Sequence, residues 1–211
     1  MFELIKLHNY KPENYIFDLN TQTEKILLSE EGLIFMTAHI GNWEMLMPII
    51  SKFKKITLIV RKQRNLGGHR FFSECRGIPN VSIISKKGSR DIMYDAINNG
   101  ELLWLASDQN AKNRGVYLNF FGKPASFPKG AGHFHYTSGK RIVVGFCILN
   151  KNYTYEFILK EIRLNKNYEQ KDDMIVEINN IYIKLLEKEI KKYPEQYFWF
   201  HKKWDKEIYK L

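Results

Sequence analysis

The chain has 211 residues, with 33 basic against 23 acidic side chains and a net charge of +10. A length of this order favours one compact unit, and 44% hydrophobic with 14% aromatic content excludes a disordered or fibrous chain. Two distant cysteines, Cys75 and Cys147, exclude a disulfide scaffold and a Cys-rich metal module, and fit a reducing cytoplasmic compartment.

The opening MFELIKLHNY has no basic start, apolar run and cleavage site, so it is not read as a signal peptide. The longest apolar stretches, 45–50 and 142–149, fall far short of the roughly 20 residues that span a bilayer. The charge points to an anionic partner: nucleic acid, lipid headgroups or an acidic carrier protein. A plain lysine-rich bias is the competing explanation.

Strand and helix signals alternate from residue 33. LIFMT (33–37) reads as a buried strand, and NWEMLMPIISKF (42–53) as a helix with Asn42 as N-cap. ITLIV (56–60), a helix over 66–76, and the strand VSIIS (81–85) follow. SRDIMYDAINNG (89–100) carries a Ser N-cap, helical spacing and a terminal glycine; LLWLA (102–106) is the next strand. Residues 110–140 read as a long loop region. RIVVGFCIL (141–149) and YTYEFILKEI (153–162) predict an antiparallel hairpin, and 172–192 keeps helical spacing. The expected fold is α/β: a mostly parallel central sheet with helices on both faces and the hairpin near 141–162. With no repeat or linker, 1–211 is expected to be a single domain.

Ligands of an open parallel sheet bind beyond the carboxyl ends of its strands. The residues just past those ends are His39, Gly41, Asn42 and Glu44 after the first strand, Arg61 after the second, and Asp108 and Gln109 after the fourth. A turn at Gly41 would let Glu44 meet the His39 imidazole. A carboxylate on one ring nitrogen fixes the tautomer and raises the basicity of the other, which then deprotonates a hydroxyl. Glu44 also suits the first turn of a helix as a dipole partner, with no catalytic role.

These residues carry a resemblance. HIGNWE (39–44) resembles the HxGNWE signature of the lipid A biosynthesis acyltransferases, within the lysophospholipid acyltransferase superfamily. VRKQRN (60–65), Arg76-Gly77, LASDQN (105–110), GVYLNFFGKPA (115–125) and PEQYFWFHKKW (194–204) resemble its further blocks, in order, from about residue 15 to 206. The resemblance implies an acyltransferase-like fold. It also implies O-acyl transfer from acyl carrier protein, or CoA, to a hydroxyl of a phosphorylated glucosamine lipid, a lipid A precursor. The expected place is the cytoplasmic face of the inner membrane, with the chain peripheral to an anionic surface.

Carried over, His39 becomes the general base and Glu44 its orienting partner. Backbone N–H groups of Gly41 and Asn42 are candidate oxyanion donors. Arg61 and Arg76 are expected on the acceptor's phosphate, and Asp108 and Gln109 on its headgroup or on the loop carrying Arg61. No cofactor or metal is expected, because a thioester is already activated; the acyl-carrier or CoA thioester is a co-substrate. No nucleic acid partner is expected, since no recognition helix or RNP-like motif is present.

The chain departs from the family pattern in three ways. Only 38 residues precede His39, without the family's usual hydrophobic N-terminal anchor. Lys202 and Lys203 stand where the family favours arginines, and Val60-Arg61-Lys62 keeps only the arginine of its Tyr-Arg-Pro block. Other candidates have plainer readings. His133 and His135 lack a third metal ligand at sensible spacing, and Phe120 and Phe121 suit packing under a turn. Cys75 and Cys147 suit the core; Lys184, Lys188, Lys191 and Lys192 suit a solvated helix face. Trp199 and Trp204, with Lys202 and Lys203, fit either a membrane interface or a cap on the sheet. The alternatives are a lysophospholipid or other glycolipid acceptor, a non-catalytic membrane module, and a basic nucleic-acid-binding domain.

Overall fold

The computed structural model describes residues 21–60, 65–85, 89–152, 154–165 and 168–209. Arg61 and the side chain of Cys75 lie outside the described residues.

Six strands form the central sheet: β1 (Leu33–Thr37), β2 (Ile56–Val60), β3 (Val81–Ser85), β4 (Leu102–Ala106), β7 (Ile142–Leu149) and β8 (Tyr155–Ile162). Their order is β3-β2-β4-β1-β7-β8, parallel throughout except for β8, which pairs antiparallel with β7. β1 therefore sits between β4 and β7 and is buried along its whole length.

Successive side chains of a strand point to opposite faces, and β1 serves two cores by that alternation. Ile34 and Met36 join one cluster; Leu33 and Phe35 join the other. The first cluster is covered by α4 (Arg90–Asn98), α5 (Gly130–Ser138) and α6 (Lys171–Lys192), through residues such as Ile97, Phe134 and Tyr182. The second is covered by α1 (Thr21–Leu27) and α2 (Leu46–Ile50), through Leu27, Leu46 and Ile50. A further helix among the described residues, α3 (Leu66–Cys75), lies between β2 and β3 in the chain. The mostly parallel sheet, the covered faces and the hairpin at 142–162 agree with the sequence reading.

Two expectations about local structure need correction. The helix expected over 42–53 is a 3₁₀ turn, Trp43–Met45, running into the short α2. Pro48 falls in the first turn of α2, where a missing N–H costs nothing. Asn42 makes no side-chain capping bond to this helix, and Ser89 makes none to α4. The 110–140 region is built rather than looped. It holds a two-stranded sheet, β5 (Val116–Phe120) with β6 (Lys123–Phe127), and then α5. The tight turn places Phe121 at φ +52° and Gly122 at φ +77°, the positive angles a two-residue hairpin turn demands. α5 stops at Gly139 in the left-handed conformation.

Candidate active site

β1 and β4 pair in parallel with Thr37 beside Ala106. The pairing runs one step further, because the Ser107 N–H donates to the Thr37 carbonyl at 2.8 Å. The next residues out are His39 and Asp108, and they meet. His39 Nδ1 lies 2.8 Å from Asp108 Oδ1, and the His39 backbone N–H donates to Asp108 Oδ2 at 3.0 Å. One carboxylate thus holds both the ring and the backbone of one histidine. Asp108 is 3% exposed. As the carboxylate accepts from Nδ1–H, Nε2 is the basic nitrogen, and it has no hydrogen-bond partner among the described residues.

Burial works against a charge on His39. The hydrogen bond and charge of Asp108, then the charge of Glu44, outweigh it and hold the imidazole above its usual pKa of 6.5. The ring is walled by Trp43 at 5.0 Å and by Phe198 at 6.2 Å, centroid to centroid.

Glu44 is not the carboxylate on His39 Nδ1; Asp108 is. Glu44 is buried and faces Arg76, which donates from Nε to Oε2 at 3.1 Å and from Nη2 to Oε1 at 2.5 Å. The Trp43 indole N–H adds a third bond to Oε1 at 3.2 Å. This two-pronged pair gives Arg76 a carboxylate partner within the chain, where a phosphate contact had been expected. The pair stands close enough to His39 for both charges to act on it, with opposite sign.

The expected oxyanion donors are also engaged. The Gly41 N–H donates to the Gln196 carbonyl at 2.9 Å, and the Asn42 N–H to the Cys147 carbonyl at 2.8 Å. Gly41 has φ +59°, and a Cβ there would stand 2.0 Å from the Cys147 oxygen. The glycine is required by this close approach to β7, and the two N–H groups tie the loop down instead of facing a substrate. Gln109 is exposed beside Asp108.

Several residues around the dyad were not placed there by sequence reasoning. Buried Tyr182 of α6 donates to the Thr37 carbonyl at 2.9 Å. Tyr197 is buried next to Asp108; burial and that charge keep its hydroxyl protonated well above the usual range. His201 accepts the Asn110 N–H on Nε2 at 2.7 Å. Lys203 is 1% exposed, donates to the Ser126 carbonyl at 2.7 Å and lies 3.4 Å from the Phe127 ring centre. Burial pulls its pKa down to about 7 against the opposing charge of Asp108. It is therefore no part of an exposed interface with Trp199. For Tyr197, His201 and Lys203 the signal was the closing block 194–204; Tyr182 carried none. His133 and His135 are taken up by Lys171 and by the Lys140 carbonyl respectively.

A histidine–carboxylate pair at the carboxyl ends of two central strands is chemistry several families share. A family model decides among them: that of the bacterial lipid A biosynthesis acyltransferases matches residues 3–206. The chain belongs to this family. It is an acyltransferase of the lipid A biosynthesis type. A comparison with curated proteins found no match. Within the acyltransferase, the HIGNWE block supplies His39 to the dyad and Glu44 to the arginine pair. The LASDQN block supplies the dyad's carboxylate, and the closing block supports both loops.

Proposed function

We propose that the chain moves a fatty acyl group from an acyl carrier protein or CoA thioester to a hydroxyl of a phosphorylated glucosamine lipid. His39 Nε2 takes the hydroxyl proton, and the oxygen attacks the thioester carbonyl carbon. The tetrahedral oxyanion collapses, the C–S bond breaks, and the thiolate leaves with the proton carried by His39. Asp108 holds Nδ1–H and stabilises the imidazolium formed in passing. The observation that carries this reading is the 2.8 Å His39–Asp108 contact, which leaves Nε2 as the base. Glu44, held by Arg76, adds a negative field that favours the same imidazolium. No cofactor or metal enters this scheme, since the thioester is the activated group. On the family resemblance we assign Arg61 and Gln109 to the acceptor's headgroup, and take 1–211 to work as one domain.

We place the chain at the cytoplasmic face of the inner membrane, on an anionic surface. Among the described residues no helix is long and apolar enough to cross a membrane. Next to His39 the chain exposes Phe198, Trp199 and Phe200, the last at 92%. Exposed Lys202 follows, an arrangement suited to headgroup depth.

Mass spectrometry of acceptor lipids, incubated with acyl carrier protein thioesters, tests the reading. Added acyl mass on a phosphoglucosamine lipid, lost in His39→Ala, is expected. Transfer to a lysophospholipid alone would move the acceptor, and full transfer by His39→Ala would remove the base.

A further inference from the structure

The segment 194–204 is stitched to both loops of the dyad. On the His39 side, the Phe198 N–H donates to the His39 carbonyl at 2.9 Å, and the Gly41 N–H to the Gln196 carbonyl at 2.9 Å. On the Asp108 side, the Asn110 N–H donates to His201 Nε2 at 2.7 Å, and Asn110 Nδ2 to the Lys202 carbonyl at 3.3 Å. Asn110 lies two residues past Asp108 on the same loop. The segment itself is anchored at both ends. The Gln196 side chain exchanges two bonds with the backbone of Leu149, at 3.0 and 2.7 Å, and Lys203 holds the Ser126 carbonyl.

A ring nitrogen accepts an N–H only when it carries no proton. The Asn110 contact therefore requires neutral His201 with its proton on Nδ1. We propose that neutral His201 is a positioning residue for the dyad: it pins the loop bearing Asp108 to the 194–204 segment, and its protonation releases that loop. The inference rests on the reading of His39 as the base only where activity is concerned; the pin itself is a statement about the loop.

The groups that face His201 are Asp108, Lys203 and His39. Burial and the two basic groups oppose a charge on His201, Asp108 favours one, and the balance lies below the usual value of 6.5. His39 lies above it. As pH falls, His39 is protonated first and His201 second. Once His201 carries both protons, the Asn110 N–H faces another N–H and the contact is lost.

The experiment is an NMR titration of the His39 ring in the full chain, wild type beside His201→Gln and His201→Leu. The Gln Oε1 stands near the place of Nε2 and accepts at every pH; Leu accepts at none. The expected result is a His39 midpoint above 6.5 in wild type, kept in His201→Gln and lowered toward 6.5 in His201→Leu. A folded His201→Leu with the wild-type His39 midpoint overturns the proposal. Nitrogen-15 shifts of wild-type His201 need no variant: protonation on Nδ1 is expected, and an Nε2–H tautomer overturns it. In acyl transfer, the acid limb of log kcat/KM should steepen from one decade per pH unit to two in wild type. It should stay at one in His201→Gln, where the second proton has no site. The titrations use no substrate, so absence of transfer to any acceptor would sink the proposed function while leaving the pin to be judged on its own.

Discussion

His39 and Asp108 each stand two residues past one paired step of the sheet, Thr37 beside Ala106, and that register brings the imidazole and the carboxylate to 2.8 Å. Sixty-nine residues of chain separate them. Two adjacent parallel strands do what no local motif could: they place an imidazole and a carboxylate at the same height above the sheet.

Asp108→Asn keeps the shape of that contact and removes its charge. Transfer should fall by about 10²-fold or more, the scale of a positioned base losing its orienting partner. The His39 midpoint should also fall, because the hydrogen bond and charge that raise it come mainly from Asp108. With His39 as the proposed base, the neutral ring is the active form, so activity should rise with pH through the His39 midpoint. The acid limb of the mutant should therefore sit at lower pH than that of wild type. An unshifted limb in a pH–rate profile would refute the assignment.

Glu44 and Arg76 form a pair of which one member is 7% and the other 21% exposed. Removing one partner strands the other's charge, at a cost of about 3–5 kcal/mol. Glu44→Gln and Arg76→Ala should each lower the unfolding temperature, and the double variant should lose less than their sum. A calorimetric double-mutant cycle that is purely additive would show the pair to be without coupling. Glu44→Gln should slow transfer less than Asp108→Asn does, since it acts on the ring only through its field.

Gly41→Ala puts a methyl where the Cys147 oxygen already stands, at φ +59°. The loop must move, and the two N–H bonds that Gly41 and Asn42 make to Gln196 and Cys147 move with it. Stability should drop by roughly 2 kcal/mol or more from strain and lost bonds. Activity should drop further than stability, because His39 is two residues away. Wild-type transfer rates in Gly41→Ala would contradict the tight packing of this loop.

Lys203 has a folded-state pKa of about 7, against 10.5 in the unfolded chain. Between those values the unfolded state binds a proton that the folded state does not, so this group's contribution makes stability rise with pH from about 7 to about 10.5. Lys203→Met removes the titration. The difference in unfolding temperature, variant minus wild type, should be most favourable to the variant near pH 6 and shrink toward pH 10. A pH-independent difference would mean that Lys203 stays charged in the folded chain.

Phe198, Trp199 and Phe200 expose aromatic surface beside His39, followed by Lys202. Vesicles rich in phosphatidylglycerol should sediment the protein better than phosphatidylcholine vesicles, and added salt should weaken the effect. Phe200→Ser should reduce sedimentation several-fold without altering the melting curve, since Phe200 is almost wholly exposed. Equal binding to both vesicle types would argue against an anionic surface.

The strands were legible because their signal is local. LIFMT, ITLIV, VSIIS and LLWLA are short apolar runs whose bounds, 33–37, 56–60, 81–85 and 102–106, are those of β1 to β4. Their alternation with helical spacing determined the parallel α/β architecture. The ordered motifs pointed to the family and to His39. The β5–β6 sheet escaped because a Phe-Gly turn is a weak hairpin signal beside Asn-Gly, although Gly122 does sit at positive φ. What the linear chain could not decide was which carboxylate serves the histidine. Glu44 is five residues away and lies in the same block; Asp108 is far off in sequence. Only the strand order β4-β1-β7 settles it, because hydrogen-bonded pairing between distant segments places Asp108 next to His39, while Glu44 is taken up by Arg76. The same holds for Gly41 and Asn42, whose N–H groups are taken by the Gln196 carbonyl and by the Cys147 carbonyl of β7, and for Lys203, which is buried against the Ser126 carbonyl of β6. Local periodicity determined the elements and the ordered motifs singled out His39; non-local register decided which groups surround its ring.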